Sequence, residues 1–231
     1  MGGRMERRAF LGAAGAAAAG LAANAAAQEA AGKGLKIIGI ATSPRKGKTT
    51  AAAVQACLDA AKAVGPTIDT ELIELAGMSI PGQVAAGLPL EPGQKDDFPG
   101  LVPRLTDPKV AGILVGSPVY FGNMSFLCKA FLDRCIAFRK QGFALSGKVA
   151  GIVAVGGARN GGQETTVASI QAALLSQEMV VVGTGRPTGR TGATLWSNKG
   201  DIAADEFGLA TAKDLGRRVA EVAMRLVAAK G

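Results

Sequence analysis

Apolar positions along this chain come in two alternating kinds of run. Leu35, Ile37, Ile38 and Ile40 form one short, nearly unbroken apolar stretch, Val110 to Gly116 a second and Lys148 to Val155 a third. Runs without polar alternation read as strands buried on both faces of a parallel sheet. Thr67 to Leu75 alternates and reads as a further strand, and Met179 to Val182 as the last. Between them the spacing is helical: Val54, Cys57, Leu58, Ala61 and Val64 share one face, ended by Gly65-Pro66. Leu127, Phe131, Cys135 and Phe138 share another, followed by Val167, Ile170 and Leu174, and finally by Leu215, Val219, Val222 and Leu226. Ala76 to Lys109 is rich in Gly and Pro, with one short helix expected near Asp96 to Leu105. There is no internal repeat. Strand and helix alternate strictly, which predicts an α/β fold with a five-stranded parallel sheet covered on both faces. Ligands in such folds collect beyond the strand C-termini.

The residues at those C-termini are unlike the rest of the chain. After the first strand comes Thr42-Ser43-Pro44-Arg45-Lys46-Gly47-Lys48-Thr49-Thr50, then an alanine-rich helix. Hydroxyls and cations placed before a helix N-terminus, whose N–H groups point outward, suit a phosphate. The stretch nearly spells G-x4-G-K-[ST], but Thr42 stands where that nucleotide pattern needs its first glycine. The later strands end in Gly116-Ser117 and Gly156-Gly157, with no magnesium-binding Asp, so an NTPase is disfavoured. After the third strand comes Ser117-Pro118-Val119-Tyr120-Phe121-Gly122-Asn123-Met124-Ser125. After the fourth comes Gly156-Gly157-Ala158-Arg159-Asn160-Gly161-Gly162-Gln163-Glu164-Thr165-Thr166. Flat side chains, free N–H groups and glycines that let backbone approach closely suit a planar polar ring. One phosphate loop and two ring loops describe a mononucleotide-like cofactor; ordinary core packing for the aromatic pair and a plain turn for the glycine loop are the alternatives.

Composition narrows the chemistry. The 231 residues suffice for one ordinary domain, and they include no histidine. Ser-His-Asp and Cys-His catalysis and every histidine metal site are thereby excluded within this chain. Cys57, Cys128 and Cys135 show no C-x2-C spacing and read as small buried residues. The net charge is +8, but no long basic run or interleaved basic and aromatic array points to nucleic acid. Arg4, Arg7 and Arg8 precede an alanine-rich segment, and Glu6-Arg7-Arg8-Ala9-Phe10-Leu11-Gly12 resembles a twin-arginine export signal, from which Glu6 and Gly12 depart. Residues 1–27 are therefore expected to be a signal peptide cleaved after Ala25-Ala26-Ala27, with an uncleaved helix as the alternative, and 28–34 a linker. That leaves no stable membrane span after cleavage and implies a periplasmic protein exported already folded. The remaining net charge is +6.

Taken together, the three loops resemble the flavodoxin-like NAD(P)H-dependent FMN reductases, including quinone reductases related to tryptophan-repressor-binding protein. TSPRKGKTT is similar to the family's phosphate loop, with Thr42 in place of a usual Gly and Lys48 in place of a usual Asn. GSPVYFGNMS with FLCKAFLDR is similar to its flavin-edge loop and helix, and GGARNGGQETT to its glycine loop. LWSNKGDIAADEFGLATAKDLGRRVAE is similar to its C-terminal segment. The resemblance implies a flavodoxin-like three-layer sandwich with strand order 2-1-3-4-5 over residues 35–231. It also implies FMN as cofactor, NADH or NADPH as co-substrate, a quinone-like acceptor, and a homodimer or homotetramer. One branch of the family holds an iron–sulfur cluster on cysteines in the segment matching Ala76 to Lys109. This chain has none there, so no cluster is expected.

By that resemblance Ser43, Arg45, Lys48, Thr49 and Thr50 hold the FMN phosphate. Pro118, Val119, Tyr120, Phe121, Gly122, Asn123 and Met124 hold the ring, with Gly156, Gly157, Arg159 and Gly162 opposite. No catalytic side chain is singled out, because the cofactor carries the chemistry. Arg159 is expected to favour an anionic reduced flavin by its charge. Trp196 either covers the flavin or packs in the core, and Asp201 is expected to cap a helix. A flavodoxin-like one-electron carrier and a non-catalytic FMN-binding module are the rival readings.

Overall fold

A computed structural model describes residues 34–229; the expected export signal lies outside them. In chain order the elements are β1 (Leu35–Ala41), α1 (Thr49–Lys62), β2 (Ile68–Glu74), α2 (Val102–Thr106), β3 (Val110–Tyr120), β4 (Asn123–Met124), α3 (Phe126–Arg134) and α4 (Ile136–Lys140). They continue with β5 (Val149–Gly156), α5 (Gln163–Leu175), β6 (Val180–Val181), β7 (Ala193–Trp196) and α6 (Glu206–Ala228). The main path of the sheet is β2-β1-β3-β5-β6, all parallel. This is the expected 2-1-3-4-5 order and a flavodoxin-like fold.

Two strands depart from the expectation. β3 runs four residues past Gly116 and folds back through β4 in an antiparallel hairpin. The fifth position is shared by two short strands, since β5 pairs with β6 at Val149 and Ala150 and with β7 from Val153 to Gly156. The sheet therefore has seven strands. Only β6 was legible as an apolar run; β7 contributes Ala193 and Leu195 to the core and is too short to show a period.

Period-two alternation explains why both faces are covered. Ile38, Ile40, Ile113, Val115 and Ile152 point to a layer with Phe98, Phe131, Phe138 and Ile170. Ile37, Leu114, Val149 and Val153 point to the other, with Val54, Cys57 and Leu58 of α1 and Leu215 and Val219 of α6. Each such side chain contributes about 1.5–3 kcal/mol on full burial. α1 and α6 meet so closely that a Cβ on Gly216 would stand 1.9 Å from the carbonyl oxygen of Cys57. Glycine there sets the helix spacing.

A buried ion pair ties the Gly- and Pro-rich stretch between β2 and β3 to α3. Arg134 of α3 donates to both carboxylate oxygens of Asp96, at 3.0 and 2.7 Å, and to the Pro81 carbonyl at 3.1 Å. Its guanidinium also lies 4.7 Å from the ring centre of Phe98. The pair is almost wholly buried, and Phe98 in turn packs on Phe131 and Phe138.

Candidate functional site

Three loops leave the sheet at its C-terminal edge, and short hydrogen bonds join them. Thr42, just past β1, donates its N–H and its hydroxyl to the Gly116 carbonyl, both at 2.8 Å. Its own carbonyl accepts from the Ser125 hydroxyl at 2.8 Å. Ser125 also caps α3, accepting from the Cys128 N–H, and its N–H donates to the Ser117 hydroxyl. First and second loops are thus one unit. The second and third loops meet where Thr165 of α5 donates to the Gly122 carbonyl at 2.7 Å. A Cβ on Gly162, whose φ is +101°, would stand 2.6 Å from the Gly122 Cα.

In the first loop Ser43 is buried and accepts the Arg45 N–H at 3.1 Å, while Arg45, Lys46 and Lys48 are exposed and Thr49 and Thr50 are buried in the first turn of α1. The residue before α1 is Lys48, which provides no side-chain cap, and the first turn holds no acid. Helix N-termini normally recruit a Ser, Thr, Asp or Asn for their orphan N–H groups. An uncapped start beside exposed cations is the arrangement an external anion would complete. Sequence reasoning missed Glu74, whose carboxylate accepts the Gly47 N–H at 2.6 Å. It ends β2, next to β1 in the strand order, and ties the loop to that strand.

In the second loop the turn residues Phe121 and Gly122 both have positive φ, 50° and 76°, the geometry of a two-residue hairpin turn. For a phenylalanine that backbone costs roughly 1–2 kcal/mol, and the Phe121 ring is fully exposed with Tyr120 beside it partly so. Core packing of this pair is therefore ruled out. Val119 and Met124 pack against the core instead, so what they can offer a ligand is backbone.

The third loop is built around Gln163, a residue that the sequence places in this loop without assigning it a role. Gln163 is buried; its amide donates to the carbonyls of Ala158 at 2.7 Å and Leu195 at 3.1 Å, and its oxygen accepts the Gly161 N–H at 2.8 Å. A Cβ on Gly156 would lie 2.5 Å from that amide nitrogen. Gly156 and Gly162 thus make room for neighbouring protein atoms. Gly157 has nothing within 4 Å of its absent side chain and keeps an open edge.

The charge of Arg159 has a protein partner: it pairs with Asp205, whose side chain is buried, and lies 5.8 Å from the Trp196 ring centre. Trp196 is half-buried at the end of β7, its N–H bonded to Asp205 at 2.8 Å. Asp201 does not cap a helix. It accepts the N–H groups of Ile202 and Ala203 in a local turn, and the cap of α6 is Asp205, bonded to the Gly208 N–H at 2.9 Å.

The three thiols are buried. Burial pushes Cys57 and Cys135 far above the usual thiol range and Cys128 up to about 11, which leaves all three protonated and inert near neutral pH. Among the described residues no group of three or more His, Cys, Asp or Glu is placed to hold a metal ion, and no helix is long and apolar enough to cross a membrane.

The three loops at the strand C-termini thus form a single rim on a flavodoxin-like sheet. Residues 35–191 match the model of the NADPH-dependent FMN reductase family. An iron–sulfur flavoprotein of Methanocaldococcus jannaschii is 40% identical over 192 residues, 81% of this chain and 97% of that protein. An NAD(P)H dehydrogenase (quinone) of Chromohalobacter salexigens is 34% identical over 166 residues, 64% of this chain and 78% of that one. The chain belongs to the NADPH-dependent FMN reductase family and is, by class, an NAD(P)H-dependent FMN oxidoreductase. Solved structures agree on the fold. A WrbA-like flavodoxin from Agrobacterium tumefaciens superposes with TM-score 0.58 at 18% identity over 83% of this chain and 98% of that one, and the Trp repressor binding protein of Bacillus subtilis with 0.53 at 21% over 78% and 96%.

Proposed function

We propose that this protein carries reducing equivalents from NADH or NADPH, through FMN held at the three-loop rim, to a quinone-like acceptor. The observation that carries the reading is the rim itself: hydrogen bonds from Thr42, Ser125 and Thr165 join the uncapped, cation-flanked start of α1 to the aromatic hairpin and the glycine loop. When bound, the flavin supplies the hydride and electron chemistry. The chain's own residues supply binding and orientation. Arg45 and Lys48, with the hydroxyls of Ser43, Thr49 and Thr50 and the first-turn N–H groups of α1, are assigned to the phosphate. Backbone of Pro118, Val119, Gly122, Asn123 and Met124 is assigned to one edge of the ring, with the flat side chains of Tyr120 and Phe121 over it. Gly156, Gly157, Arg159 and Gly162 close the opposite edge. No side chain need move a proton, which suits a rim without histidine.

We read the chain as working without an iron–sulfur cluster, as an exported, periplasmic protein, and as a homo-oligomer. The exposed ring of Phe126 supports the last of these as a candidate contact residue. The test is the visible spectrum of the purified protein, recorded anaerobically before and after NADH or NADPH. A flavin spectrum that bleaches is expected; protein that neither carries nor takes up FMN would overturn the reading. Substituting Arg45 and Lys48 together by Ala removes two charge-assisted contacts and is expected to weaken FMN about a hundredfold. Unchanged flavin content would refute the phosphate assignment.

A further inference from the structure

Asp205 gathers three segments of the chain at the glycine loop. Its side chain is 1% exposed and accepts the Arg159 guanidinium of that loop, the Trp196 N–H at the end of β7 at 2.8 Å, and the Gly208 N–H in the first turn of α6 at 2.9 Å. A Cβ on Gly208 would stand 2.1 Å from one carboxylate oxygen, so glycine there makes room for the charge. Arg159 contrasts with its partner: its side chain is 48% exposed, and its guanidinium lies 5.8 Å from the Trp196 ring centre. The loop is fastened to β7 without this pair. The Ser197 N–H donates to the Gly156 carbonyl at 2.8 Å and the Gln163 amide to the Leu195 carbonyl at 3.1 Å, and none of these groups carries a charge. Capping α6 needs no full charge either, since an asparagine caps as well as an aspartate. What Asp205 adds is a buried negative charge, which is costly unless it is paired.

We propose that Asp205 is a positioning residue for the redox reaction: it holds the Arg159 guanidinium beside the glycine loop as half of a neutral pair, and so keeps the reduction potential of the bound flavin below the value a free cation there would set. The inference rests on the proposed function, in which the glycine loop closes one edge of the ring. Hydride transfer brings two electrons and one proton to the flavin and leaves it one unit more negative, while the nicotinamide becomes one unit more positive. A lone guanidinium at the ring edge would favour that added charge, and a lone carboxylate would oppose it, each more strongly than in water. With the two in contact their fields largely cancel. Asp205 is fixed by donors from three elements, so the carboxylate sets the place of the exposed arginine and not the reverse. A lower potential makes the reduced flavin a stronger donor to its acceptor.

The test is an anaerobic reductive titration of the full-length, FMN-loaded protein against a reference dye, which reads the midpoint potential without turnover. D205N keeps a capping side chain on α6 and should raise the potential by freeing the Arg159 charge. R159Q should lower it by leaving the buried carboxylate uncompensated. Each shift is expected to be about tenfold in the reduction equilibrium, or about 30 mV for a two-electron couple. R159K keeps the charge and should stay close to the unsubstituted protein, and the double variant D205N/R159Q should return towards it. A purely structural role cannot give opposite signs, because a loosened loop acts in the same direction in both single variants. Shifts of one sign, no shift in either, or an R159K shift as large as that of R159Q would overturn the proposal; should D205N not fold, the comparison of R159Q with R159K decides alone. A protein that takes up no FMN would overturn the proposed function and this inference with it, and that outcome is seen first, in the spectrum before titration.

Discussion

Replacing Gln163 by Ala tests whether the glycine loop is organised as the structure shows. The substitution deletes three hydrogen bonds at once and leaves the Ala158 and Leu195 carbonyls and the Gly161 N–H without their partner. A buried polar group so stranded costs about 1–3 kcal/mol. Two of the three bonds are only partly buried and can recover some hydration, so the lower end applies, about 3 kcal/mol in total. For a domain of this size that is a fall in Tm of roughly 6–12 °C. The loop would also have to be ordered again on binding, so FMN affinity should drop at least about tenfold. Differential scanning fluorimetry on the apoprotein and FMN fluorescence quenching measure the two effects separately. A variant that loses stability but keeps its FMN affinity would show that the loop does not touch the cofactor. One that loses neither would show that the Gln163 bonds do not organise the loop.

The other perturbations concern the frame around the rim. R134A strands Asp96 in a buried setting and should cost about 3–5 kcal/mol in chemical denaturation, whereas the paired change D96L/R134M should recover most of that loss; a small effect from R134A alone would refute the clamp. Glu71 is held below the ordinary carboxylate range chiefly by its bond to Lys36, with burial opposing and Arg104 adding to it. Because the folded pKa lies below the unfolded one, the stabilisation is present above the unfolded range, near about 4.3, and fades as pH falls through the folded value. E71Q should therefore flatten the acid limb of the Tm–pH curve, by under about 1 kcal/mol for so exposed a pair. The native protein should give no reaction with a disulfide reagent near neutral pH, and three thiols after denaturation; a thiol reactive in the folded state would contradict the burial of Cys57, Cys128 and Cys135.

The amino-acid sequence by itself determined the alternation of strands and helices, a parallel sheet covered on both faces and the three loops at one edge, whereas the strand order 2-1-3-4-5 came from the family resemblance. The first three follow from local signals, namely apolar period, turn residues and the direction of parallel crossovers, each written within about ten residues of chain. Tertiary structure alone decided what each loop residue does. Glu74 reaches Gly47 across 27 positions, Thr42 and Ser125 meet across 83, and Arg134 finds Asp96 across 38. Nothing in local spacing records such pairs. The same holds for Asp205 in place of Asp201 as the cap of α6, and for Gln163, a loop residue whose role is not legible until Ala158 and Leu195 are brought to it. Residue types set what hydrogen bonds and charges are available, but a buried donor takes whichever acceptor the packed chain brings within reach.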